Sequence, residues 1–410
     1  MVIKSTNKFV VACVIVFVIL ISGHAFQTIY PVLQRLVIPA AAVILLLGLA
    51  KINRLTVGKM GMAAMVFVGM ACFTLVGHFG EGFIFYLTII GYVLVGYGLA
   101  RAYGLGQIAR AHRSVMTVVT LVAIVGYVLV QGTTVLDSLP QMQNVNDVKY
   151  RIGVIFNYIV GIPERNCAMF WEPGLFATHL TIAMVFEIMM EKKPRVWRLL
   201  LFSIGIFTAN SSAGFALWFL CINLFFAKKI NITKKPILGC LSMVVLLAGL
   251  AVIVNFDLIL DQTGLGDNPF FKKLATENVA ESSRMRAITH NLKLFLTAPV
   301  FGVGSVEAAK QMAHVADTST FTYLISIFGI LGFSYALYWV YSIYKLRKVN
   351  IFAKIIILAI VVIILNKEPH HNLLLSWMLL FALLQEDRVK EKSPQDMEQT
   401  RIPERMGCSI

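Results

Sequence analysis

The sequence predicts an all-α polytopic membrane protein with about twelve transmembrane helices, and three observations lead to that fold class. First, 58% of the 410 residues are hydrophobic and only 14% are charged, whereas a soluble domain keeps about a quarter of its residues charged. Second, the apolar residues come in blocks long enough to cross about 30 Å of hydrocarbon as helices. Third, backbone hydrogen-bonding groups in lipid find partners only in helices or closed barrels. The apolar residues do not alternate with polar ones as in barrel strands, so helices are predicted.

The apolar blocks define the predicted spans, and the segments between them define the loops. The spans are predicted at 9–23, 32–50, 60–78, 83–100, 114–131, 174–190, 196–210, 212–227, 236–255, 320–343, 352–366 and 371–386. They form one transmembrane domain, residues 1–386, which carries two long loops at 132–173 and 256–319. The polar tail, 387–410, is predicted to be disordered.

The stretch 196–227 is the one place where the division into spans has an alternative. It is too long for a single ordinary span, and Asn210 to Gly214 favour a turn in its middle. We therefore divide it into two short spans. A single span would place the basic cluster 228–235 on the outer side and invert everything after it.

Lysine and arginine in the short loops set the predicted orientation. With a cytoplasmic N-terminus, every basic cluster of a short loop falls on the inner side, and the short outer loops contain one lysine, Lys367. The inner clusters lie at 4–8, 51–59, 101–113, 192–198, 228–235, 345–354 and 388–392. Both termini are therefore predicted in the cytoplasm, and both long loops on the outer face.

Charge and cysteine content exclude several classes of protein. The net charge of +15 does not indicate nucleic-acid binding, because the basic residues occupy topology positions and no aromatic platform accompanies them. Of the six cysteines only Cys167 falls in an outer loop, so no disulfide framework is expected there. The eight histidines form no metal-binding motif, and His370 and His371 are interpreted as polar residues at a membrane border. We predict no metal and no cofactor.

A first candidate site closes the loop 132–173, in the segment ERNCAMFWEPGLFA (164–177). Arg165 and Glu172 are charges near the predicted membrane surface, and Pro173 suits the first turn of the next helix. Glu172 then lies beside the positive N-terminal end of that helix. It is interpreted either as a carboxylate that stabilises the helix start or as a base that accepts a proton from a hydroxyl group.

A second candidate site lies in the segment ESSRMRAITHNLKLFLTAPVFGVGS (281–305). Arg284 and Arg286 offer planar guanidinium groups that suit bidentate contact with phosphate. They could equally bind anionic lipid head groups or the nearby acidic residues. His290 lies four residues after Arg286, on the same face of a helix. Gly302 and Gly304 would give a ligand unhindered access to the backbone.

Two ionisable residues fall inside the predicted sixth span, where such residues are usually functional. These are His179 and Glu187. Glu187 is close enough to the inner end of the span that we expect it to pair with Lys192 or Lys193.

In these segments the chain resembles the Wzy-type O-antigen polymerases and the related O-antigen ligases. The matching pieces are 165–174, 210–214, 282–304 and 318–332. The resemblance implies a GT-C-like membrane glycosyltransferase in the bacterial inner membrane, independent of metals. Such an enzyme joins undecaprenyl-pyrophosphate-linked oligosaccharide repeat units at the outer face, for O-antigen of lipopolysaccharide, capsule or exopolysaccharide.

Spacing within the motifs favours a polymerase over a ligase. Polymerases of this kind have an arginine and a glycine at a set separation in each large outer loop. Arg286 and Gly302 have the expected fifteen residues between them, whereas Arg165 and Gly174 have eight, which is shorter than the usual ten. Ligases carry a histidine where this chain has Thr318.

The resemblance also implies roles for individual residues. Arg284 or Arg286, with Arg165, would hold the pyrophosphate of the donor, and Glu172 would activate the acceptor hydroxyl. If Glu172 is not the base that activates the acceptor hydroxyl, His290 or Asp317 would be that base. The predicted site residues are, for catalysis, Glu172, Arg284, Arg286 and His290 and, for substrate binding, Arg165, Asp317, Gly302 and Gly304. The expected partners are the lipid-linked oligosaccharide, membrane lipids and a chain-length regulator.

Three other functions remain open from the sequence. A ligase would transfer finished polymer to a lipid core and shares nearly every feature except the histidine. A flippase for the same lipid-linked unit would have cations within its spans and small outer loops. A twelve-span exporter would have related halves joined by a long inner loop, and the loop at 191–195 is short.

Overall fold

The computed structural model describes residues 7–51, 58–144, 146–229, 283–311, 319–346 and 349–385. This part of the chain is mostly helical, with three short strands. Helices occupy the predicted apolar blocks, except that the block 236–255 lies outside the described residues. The tail 387–410 lies outside them as well.

The helices and strands have the following bounds. Those of the first half are α1 (Lys8–Ser22), α2 (Ala25–Ile29), α3 (Pro31–Lys51), α4 (Lys59–Gly77), α5 (Phe83–Gly132), β1 (Gln141–Gln143), β2 (Lys149–Ile152) and β3 (Asn157–Ile159). They continue as α6 (Pro173–Met190), α7 (Val196–Ala209), α8 (Ser212–Lys229), α9 (Ser283–Thr297) and α10 (Gly304–Gln311). The last are α11 (Thr320–Phe328), α12 (Phe333–Tyr344), α13 (Ile351–Leu365) and α14 (Leu374–Gln385). Short 3₁₀ turns occupy 135–138, 329–332 and 370–372.

Four helical stretches are long and apolar enough to cross a membrane, namely α4, α5, α6 and the α11–α12 pair. Six shorter apolar helices accompany them. Many large apolar side chains on these helices are exposed, which suits a lipid environment rather than water. The described part of the chain is therefore an all-α membrane protein in its broad class, while the number of crossings and their direction stay predictions.

Helix α5 is interrupted at Gly104, so its 50 residues form two shorter helical segments. An unbroken helix of 50 residues would be about 75 Å long, more than twice the hydrocarbon thickness. At Gly104 the backbone has φ 62° and ψ 159°, which is not helical and which glycine adopts without a steric penalty. The two halves correspond to the predicted spans 83–100 and 114–131. The predicted inner loop between them is helical apart from this glycine.

The connecting segments gather at two ends of the helix bundle. At one end, which we call the loop-rich end, the Leu374 amide donates to Ser22 Oγ (3.1 Å) and the Trp171 amide lies 3.4 Å from the Gly23 carbonyl oxygen. At the other, the basic end, Arg113 of α5 meets Glu187 near the end of α6. Among the described residues, the predicted outer segments around Ser22, Trp171 and the turn before α14 thus lie together at the loop-rich end, and the region of Arg113 and Glu187 forms the basic end.

The loop 132–173 contains a small antiparallel sheet that the sequence does not predict. Its order is β1-β2-β3, and Tyr150 in the central strand pairs with Met142 and Ile159. Strands of three or four residues are too short to show an alternating pattern. The Tyr150 hydroxyl donates to the Trp171 carbonyl oxygen at 2.8 Å. The sheet is therefore tied to the segment that precedes α6.

A close helix contact places the start of α14. Gly96 of α5 lies so close to α14 that a Cβ there would come within 2.7 Å of the Trp377 Cβ and 3.0 Å of the Met378 amide nitrogen. Trp377 Nε1 donates back to the His371 carbonyl oxygen at 3.0 Å. This contact fixes the turn before α14, which forms part of the candidate site.

Candidate functional site

The first predicted site segment leads into α6. Helix α6 begins at Pro173, with Glu172 at the N-cap position, and the Glu172 side chain does not cap the helix. The preceding chain is held by buried Asn166, whose Nδ2 donates to the Ala123 carbonyl oxygen on α5 at 3.1 Å. Arg165 Nε donates to the Asn210 carbonyl oxygen at 3.2 Å. Glu172 therefore sits on a well-anchored segment, half-buried at the loop-rich end.

A second segment packs directly against this one, and we call it the KEPHH segment (367–371). Its four ionisable side chains, those of Lys367, Glu368, His370 and His371, are each no more than 2% exposed. Lys367 Nζ donates to the Gly174 carbonyl oxygen at 2.8 Å. Burying so many ionisable groups at one end of an apolar bundle is costly unless each is compensated.

The absence of a side chain at Gly174 makes this approach possible. A Cβ there would lie 2.7 Å from Glu368 Oε1 and 2.8 Å from Lys367 Cε. Alanine or any larger residue would push the lysine and the glutamate away from the first turn of α6. The segment with Glu172 and the KEPHH segment thus form one unit.

Hydrogen bonds continue from the KEPHH segment to α11. Thr320 Oγ1 donates to the Glu368 carbonyl oxygen at 2.8 Å and accepts from the His370 amide at 2.5 Å. At the end of α13, Asn366 Oδ1 accepts from Ser319 Oγ at 2.7 Å. The start of α11 is therefore fixed to both sides of the KEPHH segment.

The same network reaches α9, which carries the second predicted site. Thr322 Oγ1 donates to Ser319 Oγ at 2.6 Å and accepts from Asn291 Nδ2 at 3.1 Å. Asn291 is fully buried and follows His290 directly. The two predicted site segments are therefore connected through a third that the sequence interpretation had set aside.

The structure places the predicted residues of α9 on one helix. Arg284 lies in its first turn, and Arg286 and His290 are one turn apart. The Arg286 side chain is exposed, and His290 is half-buried. His290 Nε2 is buried and has no hydrogen-bond partner within the described residues. Asp317 lies outside the described residues.

Gly302 and Gly304 bring parts of the chain together, whereas the sequence assigns them to substrate access. Both have positive φ, 72° and 77°. A Cβ at Gly302 would overlap the carbonyl oxygen of Ile327, and one at Gly304 would lie 2.9 Å from the His78 ring. The Val303 amide between them donates to the Ser326 carbonyl oxygen at 2.8 Å. In this structure Gly302 permits a close contact between the end of the second loop and α11, and Gly304 permits one with His78 at the end of α4.

The KEPHH segment was missed as a site although the sequence contained a signal. Lys367 is the one basic residue in the predicted short outer loops, and it stands beside an acidic residue and two histidines. The interpretation of the histidines as polar residues of a membrane border did not anticipate that the structure buries His370 and His371 in a 3₁₀ turn. The available signal was Lys367, a lysine in an outer loop, where the rule that basic residues stay on the inner side predicts none.

Glu187 is paired, but its partners are not the expected lysines. It is fully buried and contacts Arg113 at 2.8 Å and Arg198 at 3.2 Å. Arg113 comes from α5 and Arg198 from α7, so the pairing joins three helices. Lys192 and Lys193 are exposed. The expectation that Glu187 pairs with Lys192 or Lys193 is therefore wrong.

His24 joins the start of α2 to the loop 132–173 and is held in its neutral form. Its Nδ1 accepts from the Phe26 amide at 3.1 Å, and its Nε2 lies 3.1 Å from the Val154 carbonyl oxygen. Burial lowers the pKa of His24 below its usual value of 6.5, although the Val154 carbonyl partly offsets this. Burial, Lys367 and His371 lower the pKa of His370 to about 3. Both histidines are neutral at pH 7.

We expect acid to destabilise the loop-rich end. The folded-state pKa values of His24 and His370 are lowered, so their contribution is present above pH 6.5 and is lost as pH falls toward those values. For His370, whose folded-state pKa is about 3, the loss is about 1.4 kcal/mol of stability per pH unit below 6.5, and His24 adds a loss of the same sign. The melting temperature of the purified protein, measured between pH 7.5 and 5.0, should fall with pH. The His24→Asn variant should show a shallower fall, and an equal slope in both proteins would contradict the assignment.

Comparisons with protein-family models and with curated proteins found no match for this chain. The resemblance to polysaccharide polymerases and ligases therefore rests on the motifs and spacings in the sequence. Within the described residues, no group of three or more His, Cys, Asp or Glu side chains is placed to hold a metal ion. The described site offers carboxylate, guanidinium, ammonium and imidazole groups, from Glu172 and Glu368, Arg165 and Arg286, Lys367, and His290 and the KEPHH histidines.

Proposed function

We propose that this protein is a polysaccharide polymerase of the bacterial inner membrane. It joins oligosaccharide repeat units carried on undecaprenyl pyrophosphate, at the outer face of the membrane. The observation that carries the proposal is the group of buried ionisable residues at the loop-rich end, packed against the segment with Glu172. Ionisable residues kept inside an apolar bundle mark functional sites in membrane proteins. The motif resemblance gives the class of reaction.

The reaction requires a base for the acceptor and positive charge for the leaving group. The acceptor hydroxyl oxygen attacks the anomeric carbon of the donor chain, and the bond from that carbon to the pyrophosphate oxygen breaks. Glu172 takes the hydroxyl proton. Arg286, with Arg284 and Arg165, holds the pyrophosphate and stabilises its developing charge. The lipid pyrophosphate then leaves, and the chain is longer by one repeat unit.

The KEPHH segment acts on this chemistry through position. Lys367 and Glu368 contact the first turn of α6, immediately after Glu172, and they hold that turn in place. Small displacements of a catalytic group cost large factors in rate. Lys367 and Glu368 are therefore positioning residues in this proposal.

A strain that lacks the protein tests the function directly. Its surface polysaccharide, separated on a gel, should show a single repeat unit on the lipid core and no ladder of longer chains. If attached repeats are absent altogether and lipid-linked polymer accumulates, the protein is a ligase. Lipid-linked single units trapped on the cytoplasmic side would identify a flippase.

Arg286→Ala is expected to abolish long-chain polymer without loss of protein from the membrane. The exposed arginine contributes little to the fold, whereas removal of a charge-assisted contact to pyrophosphate removes transition-state stabilisation. Polymer length on a gel and protein amount on a blot measure the two effects. Lys310→Ala is the matched control, since Lys310 is an exposed cation in a weak 3.9 Å pair with Glu307. Normal chain length in Arg286→Ala would reject the role.

A further inference from the structure

A cavity of about 590 Å³ lies at the basic end of the bundle, opposite the candidate site. It is bounded by α1, α5, the end of α6 and the start of α7. Five of its lining side chains are cationic: Lys8, Arg110, Arg113, Arg195 and Arg198. The proposed polymerase reaction uses none of them.

The acidic residues beside the cavity neutralise part of this charge only. Glu187 and Glu191 together engage Arg113, with Nη1 at 2.8 Å and Nη2 at 2.5 Å, and Glu187 also contacts Arg198. Among the described residues, five cationic side chains line the cavity against these two carboxylates, which leaves an excess of three positive charges. Arg110 and Arg195 have exposed side chains and supply much of it. The cavity therefore has enough positive charge to bind an anion with more than one negative charge, or to bind one phosphate through several side chains.

The walls of the cavity continue into surfaces that suit acyl chains. Phe9 lines the cavity and is 72% exposed, and Phe17 lies two turns further along the same face of α1. Ser114 lines it from α5, where exposed Val118 and Leu121 follow at helical spacing on one face. An anion with an apolar tail would place its charged group in the cavity and its tail against these apolar faces. A free anion would leave these faces unused.

We propose that this cavity binds the phosphate head group of an anionic phospholipid. Arginine guanidinium groups contact phosphate oxygens in pairs, and each cation near a membrane surface adds about a factor of five to the binding of an anionic lipid. The acyl chains lie along the exposed apolar faces of α1 and α5. The site is independent of the polymerase proposal and lies at the end that the charge rule predicts to be cytoplasmic.

Lipid binding by the purified full-length protein tests the proposal. The protein is delipidated in neutral detergent, and native mass spectrometry follows titration with phosphatidylglycerol or with phosphatidylcholine of the same chain length. Phosphatidylglycerol should bind at least about tenfold more tightly, and salt should weaken it. Equal affinity for the two lipids would overturn the proposal.

A double variant locates the binding to this cavity. Arg110→Gln with Arg195→Gln should weaken phosphatidylglycerol binding about thirtyfold, and each single variant about fivefold. Lys192→Gln with Lys193→Gln removes the same charge from exposed residues that do not line the cavity, and should change affinity less than about twofold. The single variants serve if the double variant does not fold. Equal losses in the two pairs would place the site elsewhere.

A competition experiment distinguishes a lipid ligand from a soluble phosphate ligand. Inorganic phosphate and pyrophosphate, added at millimolar concentration with ionic strength held constant, should leave bound phosphatidylglycerol in place. Displacement by either anion at that concentration would identify a site for soluble phosphate and overturn the assignment to a lipid.

Discussion

Glu187→Ala should destabilise the folded protein by about 3–5 kcal/mol, the largest effect we expect of any single side-chain truncation outside the candidate site. Glu187 is fully buried and lies 2.8 Å from Arg113 and 3.2 Å from Arg198. It also accepts a hydrogen bond from the Arg195 amide at 2.9 Å. Its removal leaves the buried Arg113 with Glu191 alone and takes away the carboxylate that Arg198 contacts. The cost of leaving buried charge less well compensated exceeds the net contribution of the pair itself.

Equilibrium unfolding in mixed micelles measures this change in free energy. Glu307→Ala is the matched control, because Glu307 forms a more exposed pair with Lys310 at 3.9 Å and should cost less than about 1 kcal/mol. Glu187→Gln keeps the shape of the side chain and should fall between the two. Equal stability of Glu187→Ala and the wild-type protein would mean that the buried pair does not hold α5, α6 and α7 together.

Gly174→Ala should abolish long-chain polymer while the protein stays folded. The added methyl group would lie within 3 Å of Glu368 Oε1 and Lys367 Cε, so both side chains must move and the turn after Glu172 loses the contacts that hold it. A displacement of about 1 Å at a catalytic group costs about a hundredfold in rate. Stability should change by no more than about 1 kcal/mol, because alanine favours the helix and the displaced atoms belong to flexible side chains.

The control for this variant is Gly69→Ala in α4, where a Cβ would meet nothing within 4 Å. Polymer length and melting temperature are compared for both variants. A full ladder in Gly174→Ala would show that the contact of α6 with the KEPHH segment does not position Glu172. A large fall in melting temperature would show that the contact is mainly structural.

The helices were predictable because their apolar blocks are long and uninterrupted, and Pro173 marks the start of α6 as its position in the first turn requires. The break within 196–227 was predictable for a similar reason, since Asn210 takes the left-handed conformation at the end of α7. Such features depend on a few neighbouring residues. Local sequence therefore contains enough information to place them.

The contacts of the candidate site depend on residues far apart in the chain, and the sequence does not reveal them. Lys367 and Gly174 are 193 positions apart, and Arg113 and Glu187 are 74 apart. Hydropathy and spacing identify ionisable residues in apolar surroundings but do not say which residue faces which. The lysines beside Glu187 were the nearest cations in sequence, whereas the geometry of α5 and α7 supplied the actual partners.

The hydrogen bond between Ser22 and Leu374 has a consequence for folding during synthesis on the ribosome. Its two residues are 352 positions apart, so at about 5–20 residues per second some 20–70 s pass between their synthesis. During that interval the end of α1 is already in place while the turn before α14, with Lys367, Glu368 and the two histidines, does not yet exist. The loop-rich end can close only after the last helix has been inserted. A nascent chain released before Lys367 has been added would carry Glu172 without the groups that hold it.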